Sequence, residues 1–127
     1  METIWITGAS SGIGEALCRE YARLGHNLVI SARNEARLNE LKAQLPSPEK
    51  VAVLPLDLAN LSNLDAIIEK ANTFFTPVDR LILNAGLSQR SLAQESKLQI
   101  YRDLMEVNYF GNIALAHAQL KVFEKNN

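Results

Sequence analysis

At 127 residues the chain matches one ordinary domain, long enough to bury a core but short of a separate substrate domain. Hydrophobic residues make up 47% and charged residues 21%, with Lys+Arg 13 against Asp+Glu 14, a balance that excludes both a disordered chain and a polyanion-seeking surface, so nucleic acid is not an expected partner. No apolar run approaches the ~20 residues of a membrane-spanning helix, no basic leader precedes the first strand, and Cys18 is the single cysteine, so a soluble, cytoplasmic protein without disulfides or membrane contact is expected.

The first apolar run, TIWIT (3–7), reads as a strand and leads through TGASSGIG (7–14) into a helical pattern over 14–24. Cys18 falls inside that pattern as a packing residue, and Gly25 suits a left-handed cap at its end. A second strand, NLVISA (27–32), is followed by EARLNELKAQL (35–45), where Leu38, Leu41 and Leu45 gather on one helical face. Its charged residues Glu35, Arg37, Glu40 and Lys42 form the solvated face, and Pro46 with Pro48 ends the helix. VAVLPLD (51–57), NLDAIIEKANTFF (63–75) and RLILNAG (80–86) supply a third strand, a third helix and a fourth strand. After a loop at LSQRSLA (87–93), one long helix is expected from about Glu95 to about Lys125, with Leu98, Tyr101, Leu104, Met105, Asn108, Asn112, Leu115 and Gln119 along one side.

Strands that alternate with helices imply parallel pairing through right-handed crossovers, and near-continuous apolar strands fit a sheet buried on both faces. The expected class is α/β, a doubly wound parallel sheet in a single domain covering 1–127. His26 and His117 lack partners at metal-ligand spacing, so no metal site is expected.

Gly8, Gly12 and Gly14 form G-x-x-x-G-x-G, which departs from the G-x-G-x-x-G dinucleotide fingerprint but meets the same mechanical needs. A glycine at the strand exit allows a tight turn, later glycines let backbone approach a pyrophosphate, and a missing Cβ lets the helix pack close to the strand. The free N–H groups and positive dipole end of the following helix then face the phosphates, and Ser10 and Ser11 add hydroxyl donors.

TGASSGIG resembles the cofactor-binding segment of the short-chain dehydrogenase/reductase family, and three further segments match in order: LDL (56–58), NAG (84–86) and VNYFG (107–111). The resemblance covers the whole chain. It implies a Rossmann-like fold with the strand order 3-2-1-4 and hydride transfer between a nicotinamide cofactor and a small-molecule carbonyl or alcohol. It further implies cofactor contacts from Gly8, Ser10, Ser11, Gly12, Ile13, Gly14, Asp57, Leu58, Asn84, Ala85 and Gly86, and places Asn108 at the family's catalytic Asn position.

At the end of the second strand an acidic residue would hydrogen-bond the ribose hydroxyls of NAD. Ala32 and Arg33 stand there instead. A guanidinium can clamp a 2′-phosphate through charge-assisted hydrogen bonds, worth ~1.5 to 3 kcal/mol or roughly ten- to hundredfold in affinity, so NADP(H) is expected over NAD(H).

The family's catalytic Tyr is followed four residues later by a Lys that tunes it. Here Tyr21 is followed by Gly25, Tyr101 by Met105 and Tyr109 by Ile113, so no Tyr-x-x-x-Lys is present, and no Ser stands where the family's pattern would carry the catalytic one. The expectation is the cofactor-binding part of a short-chain oxidoreductase, truncated after about four strands, incomplete at the C-terminus and inactive alone. The alternative is an inactive nucleotide-binding or oligomerisation module. An open fourth-strand edge beside apolar helix surface leads to an expectation of self-association.

Overall fold

Strand β1 (Thr3–Thr7) is buried along its whole length and forms the centre of a parallel sheet ordered β3-β2-β1-β4 in this computed structural model, which describes residues 1–126. β2 (Asn27–Ser31) pairs with β1 from Thr3 against Asn27 to Thr7 against Ser31, while β3 (Val51–Val53) and β4 (Arg80–Ile82) flank them. The order is the one expected, and it puts β1 and its glycine turn at the middle of the sheet's C-terminal edge.

Helix α1 (Gly12–Arg23) and helix α2 (Glu35–Gln44) cover one face, where Cys18, Leu38 and Leu41 meet Ile4, Ile6, Leu28 and Ile30. The spacings that gathered Leu38, Leu41 and Leu45 on one helical side are thereby accounted for. Helix α3 (Leu64–Ala71) and the C-terminal helices cover the opposite face around Trp5, Val29, Ile67, Val107 and Leu115. Each side of the sheet is thus sealed by helices, as continuous apolar strands require. Gly25 follows α1 in the left-handed region, φ +88°.

Two expectations need correction. β3 and β4 stop short of the full 51–57 and 80–86. Beyond Val53 the chain stays near β2, since the Leu54 N–H donates to the Ile30 carbonyl and the Leu56 N–H to that of Ala32, while Pro55 between them has no N–H to offer.

The long helix is also not uniform. It runs as α4 (Leu98–Met105), one wide turn of π-helix (Glu106–Gly111) and α5 (Asn112–Lys125). Its buried line is Val107, Gly111, Leu115 and Gln119, whereas Leu98, Tyr101 and Met105 are exposed. Gly111 permits this, because a side chain there would meet the Leu58 carbonyl oxygen at 2.6 Å. The helix therefore packs through Leu115 and Gln119 as expected, but ahead of them through Val107 and Gly111 and not through Leu98, Tyr101 and Met105.

Candidate functional site

A cavity of about 490 Å³ opens at the C-terminal edge of the sheet, between the turn after β1, the end of β2, the segment after β3 and the segment after β4. This is where ligands bind in open α/β sheets. Eight residues singled out from the sequence line it: Gly8, Ser10, Ser11, Arg33, Asp57, Leu58, Ala85 and Gly86.

The glycine turn is built by close packing. Gly8 sits at φ +65°, and a Cβ on it would lie 2.9 Å from the Ala85 Cα. On Gly14 a Cβ would approach the Asn84 Nδ2 to 2.6 Å and the Gly8 carbonyl oxygen more closely still. Gly14 thus lets α1 start against the turn itself, which aims the helix's first N–H groups outward past Ser10 and Ser11. Ser11 makes no side-chain cap to α1. The first-turn amides, including those of Gly12 and Ile13, remain available for an anion.

Asn84, Gly12, Ile13, Gly14 and Asn108 do not line the cavity. Asn84 stands behind its wall and donates from Nδ2 to the Gly8 carbonyl at 3.2 Å, tying the end of the β4 segment to the turn. Gly12 opens α1 with nothing within 4 Å of a Cβ position, and Ile13 projects outward, 72% exposed. Asn108, in the wide turn, binds the backbone of Leu87 twice: the Leu87 N–H donates to Oδ1 and Nδ2 donates to the Leu87 carbonyl, each at 2.7 Å.

The remaining walls differ in character. Asp57 is exposed, and its Oδ1 accepts the Ala59 N–H at 2.9 Å, a local turn that presents the rest of the carboxylate to the cavity. Leu56, Leu58, Leu87 and Val107 supply apolar surface suited to an aromatic ring. Arg33 is exposed at the rim and, among the described residues, has neither an ion pair nor a hydrogen bond to its side chain. Its neighbour Asn34 is committed, because Oδ1 accepts the Arg37 N–H at 3.2 Å and caps α2.

Thr7 escaped the sequence reading. It is 1% exposed, and its Oγ1 accepts the N–H groups of Asn84 at 3.1 Å and Ala85 at 3.2 Å. A polar residue in a fully buried strand just before Gly8 was the available signal. Ala32, Asn34, Leu56, Leu87 and Val107 also line the cavity without having been singled out as ligand contacts; the first four adjoin residues that were, and Val107 precedes Asn108.

Cys18 lies far from this edge, inside the α1 core, where burial and the nearby Glu15 carboxylate push its thiol up to about 12. It is an inert packing group. No group of His, Cys, Asp and Glu able to hold a metal occurs among the described residues.

The family model described as short chain dehydrogenase matches residues 2–127. The chain belongs to the short-chain dehydrogenase family. A human relative, dehydrogenase/reductase SDR family member 7, is 38% identical over 122 residues, which cover 92% of this chain and 36% of that protein. The short-chain dehydrogenase from Sphingobium yanoikuyae in complex with NADPH superposes with a TM-score of 0.85 at 32% identity, covering 99% of this chain and 50% of that one. The 3-ketoacyl-(acyl-carrier-protein) reductase of Brucella melitensis complexed with NADH gives a TM-score of 0.90 at 25% identity, covering 98% and 51%. The chain therefore spans about a third to a half of the length of these short-chain dehydrogenases.

The cavity passes a direct test of fit to a dinucleotide. Its cradle is one that a Cβ at Gly8 or Gly14 would obstruct or displace, Ser10 and Ser11 at its edge lead into the uncapped N-terminus of α1, and its far wall is apolar with one carboxylate. Those features match a pyrophosphate and an adenosine.

Proposed function

We propose that this chain binds NADP(H) in preference to NAD(H), holding the pyrophosphate and the adenosine, as the cofactor-binding part of an oxidoreductase acting on a small-molecule carbonyl or alcohol. The observation that carries the proposal is the juxtaposition in one cavity of Gly8, Ser10 and Ser11, which lead into the uncapped N-terminus of α1, with the unpaired guanidinium of Arg33. Gly8, Ser10, Ser11, Gly12, Ile13 and Gly14 would hold the pyrophosphate. Asp57, Leu58, Ala85 and Gly86 would border the adenosine, and Arg33 would clamp the 2′-phosphate. Asn84 and Asn108 would hold the wall from behind.

Relatives of this fold are named with either cofactor, NADPH in one structure and NADH in another, so the preference for NADP(H) stands on Arg33. Hydride exchange at the nicotinamide is the chemistry the cofactor supplies when bound. Proton exchange at a carbonyl oxygen needs a tuned general acid, and the sequence has no Tyr-x-x-x-Lys. We therefore expect these residues to bind cofactor without turning over substrate.

A second reading, an inactive module that binds nucleotide or assembles with itself, is favoured by the exposed apolar side chains of Leu98, Tyr101, Met105, Phe110 and Ile113 along α4, the wide turn and α5. Titration with NADPH followed by incubation with a panel of aldehydes and ketones tests both readings. Saturable binding without NADPH oxidation is expected. Absence of binding would overturn the cofactor reading, and oxidation in the presence of a carbonyl would overturn the expected inactivity.

A further inference from the structure

Asn112 opens α5 directly after the wide π-turn. Its own N–H bonds the Tyr109 carbonyl, three residues back, and its side-chain Nδ2 takes the Asn108 carbonyl at 3.1 Å. The same Nδ2 reaches across to the Ala85 carbonyl at 3.3 Å. Its Oδ1 is buried and is the only buried side-chain nitrogen or oxygen without a partner among the described residues.

An amide in that position costs stability through its orphaned acceptor, so packing alone would favour an apolar side chain of similar size. What the amide supplies there is a donor to two carbonyl oxygens. Turning it over would set Oδ1 against both of them, which fixes its orientation.

The segment it holds has few other supports. β4 leaves the ladder at Ile82 and has β1 as its single neighbour, so residues 83–87 run without a strand on the outer side. Thr7 holds the Asn84 and Ala85 amides from within the sheet. From the helix side, Asn108 holds both backbone groups of Leu87, and Asn112 holds the Ala85 carbonyl. Two side-chain amides, Asn108 in the wide turn and Asn112 directly after it, thus bracket Gly86, and Ala85, Gly86 and Leu87 all line the cavity.

We propose that Asn112 is a positioning residue for the nucleotide cavity: it fixes the Ala85 carbonyl and the Asn108 main chain together, so that residues 85–87 stand as a set wall for the adenosine. Asn112 does not line the cavity itself and acts through those two neighbours. This inference rests on the dinucleotide reading of the same cavity.

The test compares the chain with Asn112→Leu, Asn112→Asp and, as a stability control away from the cavity, Ile68→Val. NADP+ affinity is read by calorimetry, and hydrogen exchange over residues 83–90 is read without ligand. Asn112→Leu should bind about two- to tenfold more weakly, the worth of a neutral hydrogen bond. Asn112→Asp keeps the shape but turns a carboxylate toward two carbonyl oxygens, so it should bind more weakly than the Leu variant. Exchange over 83–90 should quicken in both, while Ile68→Val should bind as wild type despite a lowered melting temperature.

Wild-type affinity in both Asn112 variants, or Asn112→Asp binding better than Asn112→Leu, would overturn the inference, since a role in shape alone gives that order. Equal loss in Ile68→Val would overturn it as well. If the unmodified chain does not bind NADP+, the cofactor reading fails, and unchanged exchange over 83–90 in the Asn112 variants would then separately overturn the positioning role.

Discussion

Replacing Thr7 by Val removes one oxygen from the buried end of β1 while keeping the side chain's shape. That oxygen accepts two backbone N–H groups, from Asn84 at 3.1 Å and Ala85 at 3.2 Å, and donates to the Ile82 carbonyl at a long 3.4 Å. In the valine variant two part-buried amides lose their acceptor, each costing ~1 to 3 kcal/mol when fully shielded from water. Because solvent reaches part of that segment, the lower half of the range applies to each, giving about 2 to 4 kcal/mol in total. For a chain of this length such a loss lowers the melting temperature by roughly 6 to 15 °C. Thr7→Ser keeps the oxygen and should recover most of the loss. Calorimetric melts of the three proteins, with NADP+ titrations alongside, would show both the drop and a weakened cavity wall in Thr7→Val. A Thr7→Val melt within about 2 °C of wild type, or a Thr7→Ser melt as low as that of Thr7→Val, would refute the hydroxyl's role as the inner anchor of that wall.

Gly14→Ala should destabilise the fold by about 1 to 3 kcal/mol or more and weaken NADP+ binding with it, because the new methyl meets the Gly8 backbone and α1 must move off the turn; thermal melts and titration read both effects. Asn72→Leu should cost more than Gln119→Leu in a urea denaturation. Asn72 accepts the Val78 N–H at 2.9 Å and pairs with the fully buried Gln119, whereas Gln119→Leu leaves Asn72 its bonds to Ile68 and Val78. Cys18 should resist an aromatic disulfide reagent until the chain unfolds. Its thiol, raised from 9.0 to about 12 by burial and then by Glu15, stays protonated in the folded chain while the unfolded chain ionises, so this group's contribution is intact below pH 9 and is lost up to about pH 12. Over that window stability should fall by ~1.4 kcal/mol per pH unit on its account, and Cys18→Ala should flatten the decline. A Cys18→Ala variant with the same alkaline slope would contradict this.

Much of this arrangement was legible in the sequence, because strands buried on both faces and helices with one apolar face carry their periods openly. The alternation of strands and helices, the leucine face of α2 and the place of the glycine turn came from such patterns, and the order of the sheet from the family resemblance. The ends of β3 and β4 did not, since extended backbone continues past the ladder, where the Leu54 and Leu56 amides still donate to Ile30 and Ala32 and where the Thr7 hydroxyl takes the Asn84 and Ala85 amides. The wide turn at 106–111 was invisible for another reason. A π-turn shifts the helical phase by part of a turn, so that Val107 and Gly111 join the expected Leu115 and Gln119 against the sheet while Leu98, Tyr101 and Met105 ahead of the turn stay exposed. Of the site, motif residues on loops were readable singly. The cross-chain supports were not, because Thr7 to Ala85 and Asn108 to Leu87 are contacts between segments distant in sequence.

The most direct measurement is a calorimetric titration of the chain and of Arg33→Ala with NADP+ and with NAD+. Arg33 is exposed, so screening by water and salt sets its worth near the lower end of the charge-assisted range, roughly a tenfold preference. Wild type should bind NADP+ about tenfold more tightly than NAD+, and Arg33→Ala should lose that difference while keeping its NAD+ affinity. Equal loss for both cofactors, or no loss for either, would contradict a 2′-phosphate clamp at Arg33.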